Sequence, residues 1–165
     1  MIKALTKEVP IRSRQSNTGN TDILDLVIVG EGSELPKLKK LAGNNVMFLN
    51  KLTDPELGYL YSNAEALIMP QEEDFGYVSL EAQFFGCSVI AYKKGGATET
   101  ISEGKTGIFF DEQSSESLSR ALRKFSMVKY KVQSKIKEFG LRNTERFSRK
   151  QFEEKLLNLL KLKIG

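Results

Sequence analysis

Residues 66–81 read Ala-Leu-Ile-Met-Pro-Gln-Glu-Glu-Asp-Phe-Gly-Tyr-Val-Ser-Leu-Glu, and three kinds of signal follow one another in them. Ala66 to Met69 is an apolar run of strand length, ended by Pro70. Three adjacent carboxylates follow, Glu72, Glu73 and Asp74. Phe75-Gly76 then turn the chain into a segment, Tyr77 to Phe85, that is apolar nearly all round except for Glu81. Strand, tight loop and buried helix in that order make one half of a βαβ unit, with the helix N-terminus at the loop. Such an end presents unpaired backbone N–H groups and a partial positive charge, which suits an anion, phosphate above all. Glu81 is the odd residue in that helix. An unpaired buried carboxylate costs several kcal/mol, so Glu81 is expected to face a partner or a cleft.

The flanking sequence repeats the alternation. Asp25 to Val29 reads as a buried strand ending in Gly30-Glu31-Gly32, followed by a helix over about 34–42. Val46 to Leu49 is a strand, and Thr53-Asp54-Pro55-Glu56 supplies an N-cap, a first-turn proline and a capping-box glutamate for a helix to about Ser62. Ser88 to Ala91 is a strand, Gly95-Gly96 lead into a short helix at about 98–103, and Gly107 to Phe110 is a last strand. Helices are expected at 114–125, 128–139 and 150–162, the last with Phe152, Leu156, Leu157 and Leu160 on one apolar face. Alternating strands and helices imply an α/β fold, a parallel sheet covered by helices on both faces, with a helical C-terminal tail. Met1 to Glu8 reads as a short helix with Ile2 and Leu5 inward, stopped by Pro10, and Arg12 to Thr21 as loop or disorder. The chain thus divides into a partial helix and polar loop (1–24), the α/β unit (25–125) and basic C-terminal helices (126–165).

At 165 residues the chain is one domain's worth, enough to bury about two thirds of its unfolded surface. No apolar run approaches membrane-spanning length, and a lone cysteine, Cys87, forms no internal disulfide; both fit a reducing cytoplasm. Histidine is absent altogether, which removes the commonest general base and metal ligand and leaves carboxylates, lysines, hydroxyls and backbone groups. The net charge of +4 is uneven: 14 basic and 4 acidic residues from Arg120 onward give +10, and 11 basic and 17 acidic residues before it give −6. A solvated helical tail and docking onto anionic membrane both account for that tail. Nucleic acid fits less well, because aromatics are not interleaved with the charges.

Glu73 and Glu81, with seven residues between them, sit inside Pro70…Glu73-Asp74-Phe75-Gly76…Leu80-Glu81-Ala82…Gly86. This resembles the Glu-x7-Glu signature of retaining glycosyltransferases built from two Rossmann-like domains, the GT-B architecture. Val89-Ile90-Ala91, Gly95-Gly96, Glu99-Thr100 and Gly104-Lys105-Thr106-Gly107 continue the pattern, and Val27-Ile28-Val29-Gly30-Glu31-Gly32 is similar to that family's glycine-rich loop. The reading Glu-Asp-Phe-Gly is closest to a mannosyltransferase-like branch. The match covers roughly residues 25–110, and the ordered set is far more specific than any one motif.

The resemblance implies the C-terminal, donor-nucleotide half of such an enzyme, a Rossmann-like unit. Carried over, Glu81 would hydrogen-bond the ribose hydroxyls, and Glu73 would be the catalytic carboxylate beside the donor sugar. The backbone N–H groups of Val78 and Ser79 would hold the distal phosphate, at a turn formed by Asp74, Phe75 and Gly76. Gly30, Glu31 and Gly32 would line the phosphate side, and backbone near Lys51 and Leu52 would receive the base. No metal or other cofactor is implied. The partners implied are a nucleotide-sugar donor and a glycan or lipid-linked acceptor, with peripheral contact at the inner face of the membrane. The structural alternatives stand beside these roles: a paired or capping carboxylate for Glu81 and a first-turn acid complementing the helix dipole for Glu73, while for Gly95-Gly96 a plain backbone turn and a close approach to the ligand stand level. Ser88 stands where the family usually has proline, and is expected to be harmless.

Two departures shape the expectations. The family's nucleotide half begins with a strand carrying an Arg and a Lys that clamp the diphosphate, and nothing before Asp25 offers it. That first strand would lie centrally, between residues 25–29 and 66–69, and the acceptor-binding half is missing too. The sequence therefore reads as a fragment, one half of a split enzyme or a truncated frame, inactive alone. Without the clamp, Glu72, Glu73 and Asp74 oppose an anionic donor. The open slot is expected to attract Glu8 to Arg12, a partner chain or a second copy. A degenerate, non-catalytic nucleotide-binding module is the competing reading. A sugar epimerase shares the architecture, but its Tyr-x-x-x-Lys pair has no counterpart placed for catalysis, since Tyr130 and Lys131 sit in the basic tail.

Overall fold

The computed structural model describes residues 3–7 and 25–164. In chain order the elements are β1 (Lys3–Lys7), β2 (Asp25–Val29), α1 (Leu35–Leu41), β3 (Val46–Leu49), α2 (Asp54–Asn63), β4 (Ala66–Met69), α3 (Tyr77–Phe84), β5 (Ser88–Tyr92), α4 (Ala97–Thr100), β6 (Gly107–Phe110), α5 (Ser115–Glu145) and α6 (Arg149–Ile164). The strands form one six-stranded sheet in the order β3-β2-β1-β4-β5-β6, the doubly wound order of dinucleotide-binding folds. β2 with β3, β4 with β5, and β5 with β6 are parallel pairs.

β1 overturns two expectations. The helix read over residues 1–8 is absent from Lys3–Lys7, which is a strand in the central slot between β2 and β4, antiparallel to both. The sheet is therefore mixed rather than all parallel, and its middle position is filled from within the chain. Lys3 pairs with Val29 and Lys7 with Asp25, so β1 enters at the carboxyl ends of its neighbours and leaves at their amino ends. The physical reason is the unmet ladder: two parallel strands flanking an empty position leave two rows of backbone N–H and C=O groups, and a five-residue extended segment satisfies both. The polar stretch at 12–21 and the pairing expected of 8–12 lie outside the described residues.

Period-two alternation divides the core. Val27, Val29, Leu67, Met69, Val89 and Ala91 point to one face, beneath Tyr61 of α2 and Val78 and Ala82 of α3. Ala66, Ile90, Ile108 and Phe110 point to the other, beneath Ala121 and Phe125 of α5. β4 and the first four residues of β5 are buried throughout, as strands covered on both faces must be. At the start of α2, Glu56 accepts hydrogen bonds from the Thr53 N–H and hydroxyl, each at 2.8 Å, and these hold its carboxyl below the ordinary value.

The tail differs from its reading in one respect. Two helices were expected at 114–125 and 128–139, and the chain forms one helix, α5, across both. No Gly or Pro separates them, and Ser126 bonds back to the Leu122 carbonyl at 3.1 Å without breaking the ladder. α5 packs first on β5 and β6 and then on α3. α6 keeps Phe152, Leu156, Leu157 and Leu160 exposed. Among the described residues, no helix is long and apolar enough to cross a membrane.

Ser88, the proline-like position, is not harmless. Its hydroxyl is buried at the start of β5 and has no hydrogen-bond partner among the described residues. An unpaired buried hydroxyl costs about 1–3 kcal/mol. Ser88→Ala is therefore expected to stabilise the chain by about 1 kcal/mol, a rise in Tm of ~2–4 °C, read by thermal unfolding. A lower Tm would mean that the hydroxyl has an unrecognised partner.

Candidate functional site

The carboxyl ends of β2, β3, β4 and β5 share one edge of the sheet, and the candidate residues fall on the loops that leave it and on the first turns of α3. After β4 the chain runs through Pro70 to Asp74 and turns at Gly76, whose φ of +77° and ψ of +47° are left-handed. A Cβ there would meet nothing nearer than 3.5 Å, so conformation rather than crowding requires the glycine. α3 starts immediately, and its first N–H groups face the turn. Ser79 N–H donates to the Gly76 carbonyl at 2.9 Å. Val78, one residue earlier, is buried with its N–H in the first helical turn, where no intrahelical acceptor exists.

α3 is not apolar all round in the way its sequence suggests. Tyr77, Glu81 and Phe84, spaced i, i+4 and i+7, form an exposed stripe, and Val78, Leu80, Ala82 and Gln83 are buried. Glu81 projects from that stripe, and its Oε2 accepts a hydrogen bond of 3.2 Å from the Tyr61 hydroxyl. Tyr61 is 1% exposed, and its pKa is raised by burial first and by the Glu81 charge second, so the phenol stays protonated and donates.

Glu73 is half-buried, and its Oε1 accepts from Gln71 Nε2 at 2.7 Å. Its carbonyl accepts the Gly96 N–H at 2.7 Å. A Cβ on Gly95 would lie 2.4 Å from that carbonyl oxygen, and one on Gly96 would lie 2.4 Å from Phe75 Cα and O. The two glycines therefore let the loop after β5 lie directly against the backbone of residues 73–75, a stronger demand than a turn alone. Lys94, next to them, pairs with Glu72 at 3.2 Å. This exposed pair is worth little in stability, but it offsets one of the three carboxylates crowding the N-terminus of α3. Asp74 is exposed, and Phe75 packs against Tyr77 and edge-on against Phe147 after α5.

The upstream residues form a second group across β1. Gly30 has φ +138° and donates its N–H to the Leu49 carbonyl at 3.0 Å. Glu31 Oε1 accepts from Asn50 Nδ2 at 3.1 Å, which ties the loop after β2 to the loop after β3. Gly32 is exposed, and its carbonyl accepts the Leu35 N–H at 3.1 Å, closing the turn into α1. Lys51 is exposed with φ +51°, an uncommon left-handed conformation for a residue with a side chain. Leu52 lines an open groove of about 370 Å³ with Leu49, Pro55, Glu56, Tyr59 and Leu60. β1 lies between this group and the Glu73–Glu81 group, a separation of roughly two strand spacings, about 10 Å.

The sequence reading did not single out the buried polar network beneath the site. Ser79 Oγ lies 2.8 Å from the Gly76 carbonyl and 2.7 Å from Thr100 Oγ1, which bonds the Gly96 carbonyl at 3.0 Å. The Thr100 carbonyl accepts from Gln83 Nε2 at 2.8 Å and Asn143 Nδ2 at 2.7 Å. The two glycine turns are thus joined through side chains of α3, α4 and α5. Nothing in the spacing of Ser79, Thr100 and Asn143 announces this, since they come from distant segments.

The chain matches the family described as Glycosyl transferases group 1 over residues 11–143. It is 38% identical over 100 residues to the D-inositol 3-phosphate glycosyltransferase of Corynebacterium urealyticum, covering 56% of this chain and 24% of that protein. It is 36% identical over 110 residues to the GDP-mannose-dependent alpha-(1-6)-phosphatidylinositol monomannoside mannosyltransferase of Mycobacterium tuberculosis, covering 59% and 29%. The chain thus spans about a quarter of the length of the curated relatives it matches. Among solved structures, sucrose-phosphate synthase from Thermosynechococcus elongatus superposes with a TM-score of 0.71 at 22% identity, over 84% of this chain and 38% of that one. Anabaena HepE, solved with UDP-glucose, superposes with a TM-score of 0.64 at 24% identity, over 82% and 40%. With the sheet order and the turn geometry of residues 66–81, these matches show that the chain belongs to the group 1 glycosyltransferases and has the fold of the C-terminal half of a GT-B enzyme.

Proposed function

We propose that this chain is the donor-nucleotide half of a retaining hexosyltransferase that works without a metal ion and passes a mannosyl or glucosyl group to a glycan or lipid-linked acceptor. The observation that carries the reading is the placement of Glu73 and Glu81 on either side of the Gly76-capped start of α3, at the carboxyl edge of the sheet. A distal phosphate at that start takes the Val78 N–H and shares that of Ser79 with the Gly76 carbonyl. Glu81 accepts from the ribose hydroxyls, and Glu73 stabilises positive charge developing on the sugar as the bond to phosphate breaks. The Gly30–Gly32 loop flanks the diphosphate, and the groove beside Lys51 and Leu52 takes the base. The relatives named for GDP-mannose and the structure solved with UDP-glucose support a nucleotide-sugar donor in kind.

A second reading is favoured by β1. The central strand runs antiparallel, so Lys3 lies at the edge that carries the site and the chain leaves the strand at the opposite edge, the reverse of the parallel first strand that the resemblance implies. A nucleotide-binding module without transfer activity fits this arrangement. In either reading the chain alone binds a donor and transfers nothing.

Calorimetric titration with GDP, UDP, ADP and their mannose and glucose conjugates tests the proposal. Saturable binding selective for one base, weakened at least tenfold by Glu81→Ala, is the expected result. A folded chain that binds none of them contradicts the donor site. Sugar transfer by the purified chain contradicts its inactivity.

A further inference from the structure

We infer that Tyr61 is a positioning residue for Glu81, anchoring that carboxylate so that the site prefers nucleotides with an intact ribose diol; this rests on the donor-site reading above. Tyr61 is among the largest fully buried side chains of the protein, and its ring stacks on Phe85 with centroids 6.1 Å apart and planes 17° apart. Phe85 is seated in turn against Gly58, where a Cβ would lie 2.7 Å from the ring tip. A glycine in the middle of α2 costs roughly 1 kcal/mol against alanine, and here it makes room for the ring that supports Tyr61. The phenol oxygen is therefore placed by the packing of α2 on α3, not by the surface.

Glu81 is in the opposite situation. It is exposed on α3, and an exposed glutamate samples several rotamers, whose loss on binding costs up to about 2 kcal/mol. The 3.2 Å hydrogen bond from Tyr61 restrains Oε2 before any ligand arrives; it is long for a bond to an ionised carboxylate, so it narrows the rotamers of Glu81 and does not lock one. Ordering a binding group in advance raises affinity by removing that ordering from the binding step. The benefit falls on whatever Glu81 touches, the ribose diol, and not on the phosphates at the start of α3. A purely structural tyrosine would change stability and leave the preference for the diol alone.

Tyr61→Phe removes only the hydroxyl and keeps the ring and its stacking. The measurement is calorimetric Kd for three probes, the nucleoside diphosphate of the preferred base, its 2′,3′-dideoxy counterpart and pyrophosphate, in the unmodified chain and in Tyr61→Phe. The expected result is an affinity for the ribonucleotide about fivefold to tenfold weaker, the size of one ordinary hydrogen bond. The ribo-to-dideoxy ratio should shrink, and pyrophosphate binding should be unchanged. A folded variant with an unaltered ratio overturns the role of Tyr61 and leaves the donor site standing. If the unmodified chain binds both nucleotides equally, or binds neither, the donor reading of Glu81 fails and this inference falls with it. Should Tyr61→Phe not fold, Phe85→Leu loosens the bed and keeps the hydroxyl; its ratio should fall part of the way, and an unchanged ratio overturns the proposal.

Discussion

Gly96→Ala is expected to destabilise the chain by about 3 kcal/mol or more, a fall in Tm of ~6–12 °C, and to weaken nucleotide binding more than it weakens the fold. The new Cβ would lie 2.4 Å from both Cα and O of Phe75 and 2.5 Å from its carbonyl carbon. All three atoms are backbone, so no side chain can rotate away, and the loop of residues 73–75 must move. Gly96 φ is −59°, an ordinary value for alanine, so the loss comes from contact and not from backbone strain. Movement of that loop lengthens the 2.7 Å bond from Gly96 N–H to the Glu73 carbonyl and displaces Glu73 and the Gly76 turn together. Thermal unfolding and nucleotide titration on the same variant separate the two effects. A variant that keeps its Tm would show that the loops do not meet as described.

Gly140→Ala sets two effects of opposite sign against each other. Alanine in place of glycine inside α5 gains about 1 kcal/mol of helix propensity. Its Cβ would lie 2.3 Å from the Gln83 carbonyl oxygen on α3, however, and the two helices would have to separate. Separation breaks the bonds from Asn143 Nδ2 to Gln83 Oε1 at 2.8 Å and to the Thr100 carbonyl at 2.7 Å. Each polar group left buried without a partner costs about 1–3 kcal/mol, so the loss exceeds the propensity gain and a net ~2–4 kcal/mol of destabilisation is expected. Urea unfolding reads it through the midpoint. Stabilisation by about 1 kcal/mol, the propensity term alone, would place α5 farther from α3.

The strand-loop-helix at residues 66–84 was legible because its signals are local: an apolar run, a proline, a glycine turn and an apolar helix. The remaining parallel strands were legible for the same reason. The direction of β1 was not, because Lys3–Lys7 carries no pattern that distinguishes a short helix from a strand, and the choice is made by the open ladder on either side. The candidate site residues were named from the resemblance of the Glu73–Glu81 stretch to the family signature. Their supports were not found, since Tyr61, Thr100 and Asn143 act across 20, 21 and 60 residues of chain from Glu81, Ser79 and Gln83. Lys94 was legible only in hindsight of the fold, which brings it to Glu72. Gly95 and Gly96 read in sequence as a turn or a close approach to a ligand, and nothing singled out Gly58 or Gly140. Only packing shows that each is where another group approaches too closely for a Cβ.

The proposed donor site places a nucleoside diphosphate at the start of α3. Backbone amide NMR of the 15N-labelled chain, titrated with the preferred nucleoside diphosphate, tests it most directly. Saturable shifts are expected at Gly76 to Glu81, with Val78 and Ser79 the largest, a second group at Gly30 to Gly32 and Lys51-Leu52, and little change along α6. Shifts confined to the basic surface of α5 and α6, with residues 76–81 unmoved, would contradict it.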